Sequence, residues 1–144
     1  MFTCFFVGHR EAPEEIFPAL LQAEVARHVA AGVQDFVVGH YGRFDALAAR
    51  AVLNEKKRHP QVSLTLLLPY HPAMRPLPLP DGFDGMFYPP GLETVPYKLA
   101  ILCANRYMAD HSSHLIAYAI HPASNAKRLA EYAQKHGVKV TWLT

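Results

Sequence analysis

Apolar residues follow two alternating rhythms along this chain. Thr3-Cys4-Phe5-Phe6-Val7 is a short β-rich run ending at Gly8, the pattern of a strand covered on both faces. Phe17, Leu21, Val25 and Val29 then recur every four residues, with Glu14, Glu15 and Pro18 near the start and Gly32 as a stop, which predicts a helix. Asp35 to Val38, ended by Gly39, predicts a second strand. Phe44, Leu47, Ala48, Ala51 and Val52 share one face of a second helix that closes in Glu55-Lys56-Lys57-Arg58, cations suited to a helix C-terminus. Pro60 prevents continuation before the strand Val62 to Leu68.

From Pro69 to Pro96 the chain carries most of its prolines together with Gly82, Gly85 and Gly91, an irregular excursion in which Met86-Phe87-Tyr88 reads as a short strand. Leu99, Leu102, Cys103 and Tyr107 then predict a helix from Tyr97 to about His111, followed by a strand Leu115 to Ile120, a helix Asn125 to His136 and a last strand Val138 to Leu143. Strands alternating with helices imply right-handed crossovers and a mostly parallel sheet of about five strands. The expected architecture is an α/β three-layer αβα sandwich. At 144 residues the chain has room for one such domain, spanning 1–144, and for no second core.

Composition narrows the function. Fourteen Lys plus Arg against twelve Asp plus Glu give a formal charge of +2, too weak a field for wholesale attraction to nucleic acid or membrane. Nucleic acid is therefore disfavoured as a partner, as is a membrane, and any ligand charge must be met locally. The longest apolar stretch is far too short for a bilayer span and no charged and apolar leader opens the sequence, so a cytoplasmic protein is expected. Cys4 and Cys103, remote in sequence and inside predicted elements, read as small core residues.

In parallel sheets ligands bind outside the carboxyl ends of the strands, near the switch in strand order. The residues after the predicted strands are Gly8-His9-Arg10, Gly39-His40-Tyr41-Gly42-Arg43-Phe44-Asp45, Pro69-Tyr70-His71-Pro72 and His121-Pro122-Ala123-Ser124-Asn125. Each segment brings a histidine to the rim, and Arg10 and Arg43 with two glycine turns describe an anion pocket. Imidazoles ligate metals, but the spacings contain no His-x-Glu, His-Glu-x-x-His or Cys-x-x-Cys pattern, so the reading is hydrogen bonding with no metal and no cofactor.

In Gly39-x-x-Gly42-x-Phe44-Asp45, the glycines would let the turn approach a phosphate or ribose while Phe44 packs inward. Asp45 reads equally as an acceptor for a sugar hydroxyl and as a first-turn helix acid. Arg106 and Asp110, four apart, are either an exposed ion pair or, through Arg106, a fork for phosphate. Ala100, Ile101, Ala104 and Ala109 nearly encircle their helix with apolar groups, which predicts burial against a second copy and a homo-oligomer.

The segments Thr-Cys-Phe-Phe-Val-Gly-His-Arg at 3–10, Phe-Val-Val-Gly-His-Tyr-Gly-Arg-Phe-Asp at 36–45, Tyr-Pro-Pro-Gly-Leu-Glu at 88–93, Asn-Arg-Tyr-Met at 105–108 and Glu-Tyr-Ala at 131–133 resemble, in order and over nearly the whole chain, the SLOG superfamily. The resemblance is to its small bacterial YpsA-like branch. It implies a Rossmann-like fold whose relatives bind nucleotides or nucleotide-derived ligands, among them the LOG phosphoribohydrolases and the DNA-processing protein DprA. The implied pocket comprises Gly8, His9, Arg10, Gly39, Gly42, Asp45, Asn105 and Arg106, completed by the loop after the Leu115 strand.

That loop departs from the family. Relatives place a Gly-Gly pair at the start of the final helix, whereas this chain has Ser124-Asn125-Ala126. Ser124 remains a good N-cap, so amides remain available for an anion.

Two functions follow as alternatives. One is a sensor or binding module for a nucleotide-like small molecule, using Gly8, His9, Arg10, Gly39, His40, Gly42, Asp45, Tyr70, His71, Asn105, Arg106, His121, Ser124 and Asn125. The other is an N-glycosidic hydrolase of a nucleoside monophosphate, with Arg106 holding phosphate and Asp45, or Glu93 from the excursion, as the catalytic carboxylate.

Overall fold

The computed structural model describes residues 2–11 and 17–143. Its elements are β1 (Phe2–Gly8), α1 (Phe17–Ala30), β2 (Val33–Val38), α2 (Arg43–Arg58), β3 (Ser63–Leu67), β4 (Gly85–Phe87), α3 (Ala100–Asp110), β5 (His114–Tyr118), α4 (Asn125–Lys135) and β6 (Lys139–Leu143), with 3-10 turns at Leu92–Thr94 and Tyr97–Leu99. Six strands form one sheet in the order β4-β3-β2-β1-β5-β6. Every pairing is parallel, with Phe5 opposite Leu115, Gly8 opposite Tyr118 and Val38 opposite Leu66. All six carboxyl ends therefore share one rim, and the order switches between β1 and β5.

The pleat explains the layers. Cys4, Phe6, Phe36, Val38, Leu64 and Leu66 point to one face, where they meet Leu21 and Val25 of α1 and Phe44, Leu47 and Val52 of α2. Phe5, Val7, Val37, Leu67, Leu115 and Ala117 point to the other, against Ala104 and Met108 of α3 and Ala130 and Ala133 of α4. The fold is the α/β three-layer sandwich expected, with one strand more than the five anticipated because Gly85–Phe87 joins the sheet edge beside β3.

Several boundaries shift by a residue or two. β2 begins at Val33, since Gly32 closes α1 in the left-handed region at φ 102° and releases the chain straight into the sheet. The expectations for Glu14 and Glu15 lie outside the described residues.

The inward face of α3 differs from the predicted one. Ala100, Ala104, Met108 and Ala109 are buried, while Leu99 and Leu102 are exposed. Small alanines let the helix axis sit close to the sheet, and this excludes the larger Leu face. Three of the four residues that motivated self-association, Ala100, Ala104 and Ala109, thus pack inside their own domain. Cys4 is buried and Cys103 only half-buried, both as free thiols. No helix of the described residues is long and apolar enough to cross a membrane.

The α1–α2 contact contains one buried carboxylate, Glu55, which accepts a hydrogen bond from Gln22 Nε2 at 2.9 Å and lies 3.5 Å from His59 Nε2. At the β4 edge, Asp84 accepts from the Leu64 amide at 2.8 Å and from Lys56 Nζ at 2.6 Å. Near the amino end of the sheet, His28 is 2% exposed, its Nδ1 2.7 Å from the Glu24 carbonyl and its ring 5.4 Å from that of His114.

Burial holds the His28 imidazole below its ordinary value of 6.5. The unfolded chain therefore takes up its proton first as pH falls, so this contribution to stability is complete above about pH 6.5 and is lost on acidification. We expect the thermal midpoint to drop between about pH 7.5 and pH 5, and the drop to shrink in His28→Gln. Parallel unfolding curves at the two pH values for wild type and variant check it.

Candidate functional site

Three loops at the carboxyl rim are tied to one another by hydrogen bonds that engage the main chain. The Arg43 amide donates to the Arg10 carbonyl at 2.8 Å, joining the loop after β1 to the start of α2. The contact needs glycine at 42, because a Cβ there would stand 2.5 Å from the Arg10 Cα. Across the switch point, His9 Nε2 accepts from the amides of Ile120 at 2.9 Å and His121 at 3.3 Å, linking the loops after β1 and β5. Its ring lies 4.4 Å from that of His121. Burial first, then the neighbouring His121, lowers the His9 pKa, which favours the neutral imidazole that this acceptor role requires.

The other rim glycines likewise yield space to protein. A Cβ at Gly8 would meet the Phe44 ring at 2.5 Å, and one at Gly39 would meet the Tyr41 ring at 2.6 Å. The close approaches these glycines allow are approaches of the chain to itself, which fold the rim into a concave surface.

At the centre is a cavity of about 210 Å³, partly open to solvent, with Phe5, Val7 and Gly8 of β1 among its lining residues. His9, Arg10, Gly39, Tyr41, Gly42, Asp45, Asn105 and Asn125 contribute its polar and backbone surface, and Ile101, Ala126 and Leu129 its apolar side. Asp45 Oδ2 accepts from the Tyr41 amide at 3.0 Å, yet burial outweighs this bond and pushes the carboxyl up from 3.8 to about 6. The Tyr41 hydroxyl is buried with no hydrogen-bond partner among the described residues. Burial, then Asp45, then Tyr70 raise its pKa, so the hydroxyl keeps its proton.

The remaining candidates do not line this cavity. His9, Arg10, Glu11, Arg43, Tyr118, Ile120 and His121 line an open groove beside it. His40 and Tyr41 border a concavity of about 290 Å³ with Tyr70, Arg75 and Ile101. His71 is exposed and edge-on to Tyr88 at 5.3 Å. Ser124 caps α4, its Oγ accepting from the Lys127 amide at 3.1 Å. Among the described residues no group of three His, Cys, Asp or Glu is placed to hold a metal ion.

Arg106 stands apart. Its guanidinium lies 3.6 Å from the Tyr132 ring centre, and the Tyr132 hydroxyl donates to Asp110 at 2.6 Å, so Arg106 and Asp110 bracket a tyrosine on the outer α3–α4 surface. Neither lines the cavity. Glu93 is exposed and does not line it either.

Sequence reasoning passed over Tyr41, Arg75 and Tyr97 as site residues. Tyr41 lay in plain view inside the Gly39–Gly42 turn, but Arg75 and Tyr97 meet Tyr70 only through the path of the proline-rich excursion, which has no local periodicity to read.

By sequence the chain matches no family model and no curated protein. By structure it is similar to DNA processing protein A from Helicobacter pylori, whose structure is described for its single-stranded DNA binding mode, with TM-score 0.65, 18% identity and 99% of this chain covered. The chain spans 65% of the length of that protein. The likeness establishes a Rossmann-like fold of the kind seen in that protein.

It also corrects the partner expectation. The net charge near zero argues against nucleic acid, yet a fold of this kind occurs in a protein that binds single-stranded DNA. Net charge averages over the surface, whereas Arg10 and Arg43 share one groove and Arg75 joins Tyr70 and Tyr97.

Two variants test the geometry. Gly42→Ala forces the Arg10 loop aside and should cost about 1–3 kcal/mol, read as a lowered midpoint in denaturant. Asp45→Asn should act oppositely. Because the folded carboxyl holds its proton up to about 6 while the unfolded one releases it near 3.8, the native aspartate loses stability as pH rises between these values and stays penalised above them. The asparagine should therefore gain roughly 1–2 kcal/mol near neutral pH and little near pH 3, seen by thermal melts at both.

Proposed function

We propose that this protein binds a nucleotide or nucleotide-derived metabolite at the carboxyl rim, as a sensor or binding module of the SLOG type. What carries the reading is the switch-point cavity, where Arg10, Asn105 and the start of α4 at Asn125 surround a space next to a half-buried carboxylate. Arg10 supplies charge for phosphate, the first amides of α4 supply donors, and Asp45 supplies an acceptor for a sugar hydroxyl. Ser124 caps the helix start through the Lys127 amide, and Asn125 and Ala126 line the cavity, so the first turn of α4 lies beside the space without a glycine pair.

Asp45 also keeps the hydrolytic reading in play, as a carboxylate of raised pKa inside the cavity. Its partner in that scheme, Arg106, is engaged with Tyr132. Binding without turnover is the reading favoured by this separation.

Isothermal titration with the common ribonucleoside 5′-monophosphates, alongside assay for released base, tests both. We expect binding that weakens about tenfold in Arg10→Ala and no base release. Base release abolished by Asp45→Asn would establish the hydrolase instead. Binding of an oligothymidylate with no uptake of any mononucleotide would move the site's ligand from metabolite to strand.

A further inference from the structure

The rim cavity, at about 210 Å³, is smaller than the roughly 300 Å³ at which small-molecule sites usually begin. A space of that size is small for a whole nucleotide, so the base needs a neighbouring space. The adjoining concavity of about 290 Å³ shares two lining residues with it, Tyr41 and Ile101, and is otherwise bordered by Pro69, Tyr70, Arg75 and Pro76 among others.

Tyr70 and Arg75 line that second space, and Tyr97, which does not line it, completes with them an arrangement the core does not need. The Tyr70 and Tyr97 rings stack with centres 4.5 Å apart and 16° between planes, although Tyr97 is 58% exposed. The Arg75 guanidinium lies 4.8 Å from the Tyr70 centre and 5.2 Å from that of Tyr97. Three residues from separate stretches of an irregular segment thus hold two parallel π-faces and a planar cation together at the surface. Between this cluster and the cavity stands Tyr41, whose hydroxyl is buried and unpartnered among the described residues.

Resting on the nucleotide reading above, we infer that the Tyr70–Arg75–Tyr97 cluster is the subsite for the ligand's base, with Tyr41 the wall common to base and sugar. The base stacks on the tyrosine platform, and Arg75 donates to ring nitrogens or carbonyls on its edge. Recognition of a planar heterocycle bearing acceptor groups follows, and a bare sugar phosphate fills only half of the site.

The test compares each ribonucleoside 5′-monophosphate with ribose 5-phosphate by calorimetry on wild type, Tyr97→Leu, Tyr97→Phe and the exposed-site variant Arg75→Ala, with thermal melts to confirm folding. At least one nucleotide should bind wild type about tenfold more tightly than ribose 5-phosphate. Tyr97→Leu should remove that advantage and leave ribose 5-phosphate unaffected, Tyr97→Phe should restore it, and Arg75→Ala should reduce it. Equal affinity of wild type for the nucleotides and the sugar phosphate overturns the base subsite and leaves the rim reading intact. So does a nucleotide advantage untouched by Tyr97→Leu and Arg75→Ala. No uptake of any probe by wild type defeats the rim reading, and the subsite with it.

Discussion

Everything at the rim depends on one close contact of main chain with main chain, the Gly42 backbone against Arg10. The hydrogen bond from the Arg43 amide to the Arg10 carbonyl fixes where β1 hands over to its loop and where α2 starts, and the absence of a side chain at 42 permits it. Phe44, one residue further on, fills the space over Gly8 and connects the same contact to the core. A rim built this way is preorganised, because its loops are positioned by protein before a ligand arrives.

This inverts the usual lesson of glycine-rich turns. A Gly-x-x-Gly segment after a strand invites the idea that its backbone presses against a phosphate. Here each glycine is matched by a particular protein neighbour, Phe44 at Gly8, Tyr41 at Gly39 and Arg10 at Gly42. The polar lining of the cavity comes instead from residues such as Arg10, Asp45, Asn105 and Asn125. The cost of gathering them appears at Asp45, where partial removal from water works against ionisation and leaves a carboxyl that is easier to protonate than most.

The fold was largely legible because its signals are local. The apolar run of β1, the alternation that opens β3, four-residue spacing in α1 and Ser124 at the start of α4 all depend on near neighbours in sequence. The face of α3 was not, since Leu99, Leu102, Cys103 and Tyr107 form as good an apolar stripe as Ala100, Ala104 and Met108, and only the distance to the sheet decides between them. The same division runs through the site. Strand ends were readable, so Gly8 to Arg10, Asp45 and Asn125 arrive at one cavity, whereas side-chain direction was not, so Arg106 turns to Tyr132. The Tyr70, Arg75 and Tyr97 cluster has no sequence period at all, which is why an interleaving of rings and cations went unseen.

The three-residue strand β4 sets the limit of the sheet. Asp84 occupies the Leu64 amide with its carboxylate just before that strand begins, Lys56 holds the carboxylate there, and Pro89 and Pro90 follow soon after. An incoming extended peptide would find only a stub of free backbone flanked by a charge and by imino acids that cannot donate. Growth of the sheet by edge-to-edge addition is thereby discouraged on this flank, and the protein keeps its outermost strand short where a longer one would be a template for aggregation.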